Sequence, residues 1–260
     1  MYNRPLIFVA NDDGVNSKGL AALIEMLRPY GDLFVCVPEE GKSGQSQAIT
    51  FMRTLEVKLV KEEVGLKIYS TNGTPTDSVK LAFNKLLDKK PDYLVSGINH
   101  GSNSSISAFY SGTVGAVIEG CFHEIPSLGF SLLNHSKDAD FSVAVEYAEK
   151  IFKDFLKLED KRGICLNVNI PYLPKEEIKG IKLCRQTIGK WQEDFIEIEE
   201  NGKKKYLMTG NFVNFEEDAE DTDEWALRNG YVSVVPLSRD LTNMEILKKL
   251  KENAIFECKC

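Results

Sequence analysis

Leu6-Ile7-Phe8-Val9-Ala10-Asn11-Asp12-Asp13-Gly14 is an apolar run that ends in two adjacent carboxylates. Five apolar residues without alternation read as a strand buried on both faces, as in parallel sheets. In open α/β sheets, sites form outside the carboxyl ends of the strands, which is where Asp12 and Asp13 emerge. Neighbouring carboxylates repel unless a proton or cation lies between them. A hard divalent ion held by oxygen ligands is the simplest occupant. The same residues also make a good solvated turn, so the motif alone leaves both readings open.

Working outward, strand and helix patterns alternate. Leu20, Leu23, Ile24 and Leu27 recur at helical spacing and predict a helix from Ser17 to about Tyr30. Leu33 to Val37 is a second buried strand ended by Pro38, and two alternating segments between Thr54 and Ser70 predict a hairpin. Thr74-Pro75-Thr76-Asp77 is a helix start with an N-cap Thr, Pro at the first helical position and an acid in the first turn. Strands are expected at Asp92 to Ser96, Ser127 to Leu133 and Ile164 to Val168. Helices are expected from Gly112 to His123 and along Phe141, Val145, Ala148, Phe152 and Phe155. This β–α alternation implies an α/β fold with a mostly parallel sheet and helices on both faces.

After Pro171 the pattern changes. Ile196 and Ile198 alternate with glutamates, Asn201-Gly202 intervenes, and Lys203 to Leu207 resumes, a strong hairpin signal. We divide the single domain into a core of about 1–171, a β-rich arm of about 172–238 that packs on another subunit, and a C-terminal helix and tail, 239–260. A capping box of Thr242 and Glu245 is expected to open that helix, which runs through Lys251.

The 260 residues are 43% hydrophobic and 27% charged, enough to bury a substantial core. A net charge of −7 argues against binding nucleic-acid duplex through a basic surface, and makes any anionic substrate depend on local positive charge. No apolar stretch approaches a membrane span, and Met1 to Pro5 lacks a signal-peptide pattern. The six cysteines show no metal-binding spacing. Cys36, Cys121 and Cys165 read as small core residues, and Cys258 and Cys260 as a frayed tail. A reducing, cytoplasmic compartment is the expectation.

Three further loops follow predicted strands. Glu39 to Ser46 is rich in glycine and hydroxyls, and Gly44 lets a small polar ligand approach backbone N–H groups. Ser96 to Asn103 carries Asn99 and Asn103 among glycines, suited to ligating a hard cation or donating to a phosphate. Ser111-Gly112-Thr113 opens a helix and presents free N–H groups at its positive end, a ready anion site, with Ser111 as N-cap by the same groups. Together these suit metal-assisted hydrolysis of a phosphate ester. Gly-x-Gly-x-x-Gly after the first strand is absent, as is a Walker loop. His123 and His135 read as structural or surface residues, and His100 lies in the candidate site loop.

With those residues in view, the chain resembles the stationary-phase survival protein SurE family of 5′/3′-nucleotidases. The matching segments are Val9 to Val15, Lys42 to Thr50, Asn72 to Asp77, Val95 to Asn103, Tyr110 to Ala116, Asp221 to Asp223 and Gly230 to Leu237. The resemblance implies a three-layer α/β/α, Rossmann-like core with a projecting β-hairpin, and a homodimer or homotetramer built through that arm. It also implies Mg²⁺ or Mn²⁺ held at Asp12, Asp13, Ser43 and Asn99, with catalysis resting on Asp12, Asp13 and Asn99. Asn11, Gly44, Asn103, Ser111, Gly112 and Thr113 match the phosphate surroundings, and the implied substrate is a nucleoside monophosphate. The chain departs from the family pattern at Lys42 (usually Arg), at His100 and Ser102 (usually a small residue and Pro), and at Thr76 and Ser78 (usually Ala and Cys). A haloacid-dehalogenase-type phosphatase would need Asp-x-Asp rather than adjacent aspartates. A non-catalytic nucleotide or metal sensor on the same scaffold would bind without turnover.

Overall fold

A computed structural model describes residues 4–253, so Cys258 and Cys260 lie outside the described residues. In chain order the elements are β1 (Leu6–Ala10), α1 (Lys18–Leu27), β2 (Asp32–Pro38), β3 (Val57–Glu63), β4 (Leu66–Thr71) and α2 (Pro75–Leu81), which a π-helical turn extends over Ala82–Leu86. Next come β5 (Tyr93–His100), α3 (Ser107–Tyr110), α4 (Gly112–Phe122), β6 (Ser127–Leu132), α5 (Ser142–Leu156) and β7 (Cys165–Ile170). The last third holds β8 (Gly180–Leu183), β9 (Gly189–Glu200), β10 (Lys203–Asn214), α6 (Asp223–Arg228), β11 (Tyr231–Pro236) and α7 (Met244–Glu252).

Nine strands form one sheet in the order β3-β4-β2-β1-β5-β6-β7-β11-β8, parallel from β4 through β7. Chain order reverses at β1, which pairs with β2 on one side and β5 on the other, Val9 lying opposite Val95 and Ala10 opposite Ser96. That reversal opens a crevice outside the carboxyl ends of β1 and β5. The unbroken apolar run of β1 feeds two cores. Ile7 and Val9 pack with Leu20, Leu23 and Phe152 beneath α1 and α5, whereas Phe8 and Ala10 pack with Val79, Val117 and Ile125 beneath α2 and α4. Each such side chain contributes about 1.5–3 kcal/mol by leaving water, so both helical layers are held to the same strand. The α/β/α reading of the sequence is the fold observed.

Several expectations are corrected. Residues 172–238 do not form one arm, because β8 and β11 rejoin the main sheet beside β7 and only β9–β10 forms a separate ribbon. β8 is the edge strand and β11 lies inside the sheet between β7 and β8, and α6, which precedes β11, was not expected. Asn201 and Gly202 both hold positive φ, 55° and 70°, the paired left-handed turn that lets the two arms of a hairpin twist together. Helix α7 is capped one residue later than expected, by the Asn243 side chain accepting the Ile246 N–H. The segment after Val95 is not a loop: β5 continues to His100 and shifts register against β6 between Ser96 and Asn99. Cys36, Cys121 and Cys165 are buried as expected, but Cys121 and Cys165 are joined in a disulfide linking the end of α4 to the start of β7. Cys36 remains a thiol, its pKa pushed up to about 12 by burial.

Candidate functional site at the sheet crevice

The turn after β1 is built by Asn11. Its amide donates to Gly14 O at 2.9 Å and to Ser17 Oγ at 3.0 Å, and Ser17 in turn caps α1. Asn11 was expected near the phosphate; in this fold both of its donor contacts shape the loop, because a carbonyl and a hydroxyl lie within reach. Its Oδ1 is buried and without a partner among the described residues. The turn leaves Asp12 only 2% exposed and Asp13 half-buried.

Three elements close on Asp12. Lys42 N–H donates to Asp12 O at 2.7 Å, bringing in the loop that carries Ser43 and Gly44, both of which remain exposed. The start of α4 presses against the carboxylate, Thr113 Oγ1 donating to Asp12 Oδ1 at 2.5 Å. Gly112 permits this approach, since a Cβ there would lie 2.7 Å from Asp12 Cβ and 2.9 Å from Pro75 Cγ. Ser111 caps the helix by accepting Val114 N–H at 3.0 Å, so its own hydroxyl proton stays available to an anion. The Ser43 loop is bound to the same helix entry, Ser46 N–H donating to Tyr110 O at 3.0 Å.

From the other side, β5 delivers Asn99 and His100. His100 N–H donates to Asp13 Oδ2 at 3.1 Å. Asn99 Nδ2 donates to Gly101 O at 2.8 Å, which leaves the amide oxygen as its free acceptor. The His100 ring turns away: Nδ1 donates to Ser136 O at 2.9 Å and the ring meets Phe141 edge-on, 4.9 Å between centroids. Burial lowers its pKa. His123 ends α4 within 3.4 Å of Glu119, and exposed His135 lies over Gly101.

Asn103 sits in a buried polar network. Its N–H donates to Asn169 Oδ1 at 2.7 Å, its amide to Ser131 Oγ at 2.8 Å, and its carbonyl accepts from Asn167 Nδ2 at 2.8 Å. One amide hydrogen of Asn103 is thereby committed and the other is free. Sequence reasoning gave no role to Asn167, Asn169 or Asp223, the last named only within a matching segment. The signal was present, because two asparagines alternating inside the apolar strand Cys165–Ile170 must find buried partners.

Electrostatically the crevice is short of positive charge. Burial raises the Asp12 pKa against the Thr113 hydrogen bond, and burial together with the Asp12 charge pushes Asp13 up to about 7. Among the described residues no Lys, Arg or His pairs with either carboxylate. A buried and a half-buried carboxylate without a counter-charge, with the amide oxygen of Asn99 and a hydroxyl loop, form an all-oxygen donor set that fits a hard divalent cation. The α4 N-terminus beside them fits an anion.

Residues 7–193 match the family model described as survival protein SurE. A "5′-nucleotidase SurE" of Bacteroides thetaiotaomicron is 45% identical over 248 residues, 95% of each chain. One from Christiangramia forsetii is 47% identical over 250 residues, 95% of this chain and 96% of the other. The crystal structure of the SurE protein from Aquifex aeolicus superposes with a TM-score of 0.81 at 37% identity, covering 96% of this chain and all of that one. With the fold and nearly the whole length shared, the chain belongs to the survival protein SurE family.

Proposed function

We propose that this chain is a divalent-cation-dependent 5′-nucleotidase that hydrolyses nucleoside monophosphates to nucleoside and phosphate. The observation that carries the reading is the uncompensated Asp12–Asp13 pair set against the N-terminus of α4. The names of its relatives point the same way. Asp12, Asp13, Ser43 and Asn99 would hold Mg²⁺ or Mn²⁺. Such an ion polarises a phosphoryl oxygen and lowers the pKa of a water molecule.

The chain's own groups do the rest. Backbone N–H groups at Ser111-Gly112-Thr113 face the phosphate at the positive end of α4. The Thr113 hydroxyl holds the Asp12 carboxylate in one orientation, and His100 N–H does the same for Asp13. Gly44 keeps the loop beside Ser43 open, with nothing within 4 Å of the space a Cβ would take. Asn103 offers its second amide hydrogen to the substrate. The exposed β9–β10 ribbon would join copies of the chain into a dimer or tetramer. No described helix is long and apolar enough to cross a membrane, and we place the enzyme in the cytoplasm.

Phosphate release from AMP with Mn²⁺ or Mg²⁺, with and without chelator, tests the reading. Release that chelator does not suppress would remove the cation from it, and a panel of 5′- and 3′-monophosphates ranks the substrates.

A further inference from the structure

Asp223 opens α6 and is wholly buried. A buried carboxylate must be paired or fully hydrogen-bonded. This one is satisfied by hydrogen bonds that join two distant parts of the chain. Its Oδ2 accepts Ser105 N–H at 2.9 Å, from the loop that follows β5. Its Oδ1 accepts Thr187 N–H at 3.0 Å, the Thr187 hydroxyl at 2.6 Å and Glu224 N–H at 2.9 Å. The Ser105 hydroxyl closes the ring by donating to Thr187 O at 2.9 Å.

The two parts so joined have different tasks. Thr187 stands two residues before β9, at the root of the ribbon. There Ile188 N–H donates to Glu216 Oε2 at 2.6 Å, and Glu216 takes both Nη atoms of Arg185 at 2.8 and 2.9 Å. Ser105 ends the loop that carries Asn103, and it holds a left-handed backbone with φ of 49°. A serine keeps that conformation only where its surroundings over-determine it. The neighbouring Ser104 hydroxyl meets both Glu224 Oε1 and, at 2.6 Å, Ser102 Oγ, so α6 grips the loop a second time.

We propose that Asp223 is a positioning residue for turnover: it sets the 102–105 loop, and with it Asn103, against the root of the β9–β10 ribbon. This rests on reading that loop as part of the nucleotide site. A purely structural Asp223 would lower stability and affect every ligand alike. A positioning role acts on the phosphate side and spares the cation residues: Asp12, Asp13 and Ser43 sit on other segments, and Asn99 is held by β5 and by its own hydrogen bond to Gly101 O at 2.8 Å.

The test uses the full-length protein and the variants Asp223→Asn, Thr187→Val and Ser105→Ala. Asparagine keeps the shape but replaces one acceptor with a donor, orphaning a buried N–H. Asp223→Asn should lower kcat/KM for AMP by about tenfold or more and weaken inhibition by inorganic phosphate by about threefold. The Mn²⁺ concentration for half activity should stay within about twofold. Thr187→Val and Ser105→Ala should show the same split with losses of about threefold in kcat/KM. A folded Asp223→Asn protein with wild-type constants overturns the proposal, as does one that loses Mn²⁺ and AMP together. If Asp223→Asn does not fold, the two milder variants decide by the same criteria. A wild-type protein that releases no phosphate from AMP sinks the nucleotidase reading itself, which is a separate result.

Discussion

The crevice at β1 and β5 and the β9–β10 ribbon are both incomplete, in opposite senses. In the crevice Asp12, Asn99 and Ser111 are buried and hydrogen-bonded, and what is missing is positive charge around Asp12 and Asp13. In the ribbon twelve residue pairs complete the backbone ladder, and what is missing is cover for Phe195, Ile196, Tyr206, Leu207 and Met208. An isolated two-stranded hairpin is marginal in water, and exposed apolar clusters mark interaction surfaces. Charge missing from an interior calls for an ion; apolar area left bare calls for a protein surface. Substitutions in the crevice should therefore alter chemistry with little effect on assembly, and substitutions in the ribbon should do the reverse.

The largest effect is expected for Asp12→Asn. Removing one cation-holding carboxylate should lower kcat/KM for AMP by about a thousandfold or more, since such electrostatic contributions are worth several kcal/mol. Melting temperature should hold or rise, because a buried repulsive charge has gone. Steady-state kinetics with calorimetry on the same preparation checks both. Activity within about tenfold of wild type would break the assignment of the crevice.

Gly112→Ala comes next. The added methyl would meet Asp12 Cβ at 2.7 Å, backed by Pro75, so either α4 or the carboxylate must move. Overpacking of this kind costs about 1–3 kcal/mol, and a displacement near 1 Å at the site costs about a hundredfold in kcat/KM. Loss of stability with unchanged kinetics would separate α4 from the reaction.

pH tests the same charge deficit. In the metal-free fold burial and the Asp12 charge push the Asp13 pKa up to about 7, whereas the unfolded carboxyl releases its proton near the ordinary value of 3.8. Between those values the folded state binds the extra proton, so stability contributed by this group is greatest on the acid side and declines as pH rises toward 7, by a few kcal/mol at most. Mn²⁺ must displace that proton at pH 5 but not at pH 8. Its addition should therefore raise the melting temperature more at pH 8, and equal shifts at both values would show that the pair carries no such deficit.

The parallel core was legible because its signals are local. Unbroken apolar runs marked β1 and β2, and Ser17 and Thr74 announced the helices they cap. The paired aspartates were legible for the same reason. What the sequence hid were properties of assembly. Thr113 looked like part of an anion seat, and only folding shows it donating to Asp12. Asn11 was expected near the phosphate, and only folding shows its amide bound to Gly14 O and Ser17 Oγ. Asp223 meets Ser105 across 118 residues, a distance no periodicity spans. The return of β8 and β11 to the sheet was hidden likewise, since a short strand's pattern does not say which partner it pairs with.

The smallest catalytic effect should come from the ribbon, where Ile196 faces Leu207 across the ladder. Replacing both with serine should leave the Thr187 and Glu216 anchors at the root intact and the core folded. Light scattering should then show a lower mass than wild type, while kcat/KM for AMP stays within about threefold, because the changed side chains lie far from the crevice. Lower mass with a large loss of activity would mean that a neighbouring copy completes the site, and the two regions would then be two halves of one device. Unchanged mass would put the subunit interface elsewhere and leave the bare face of the ribbon for a different partner.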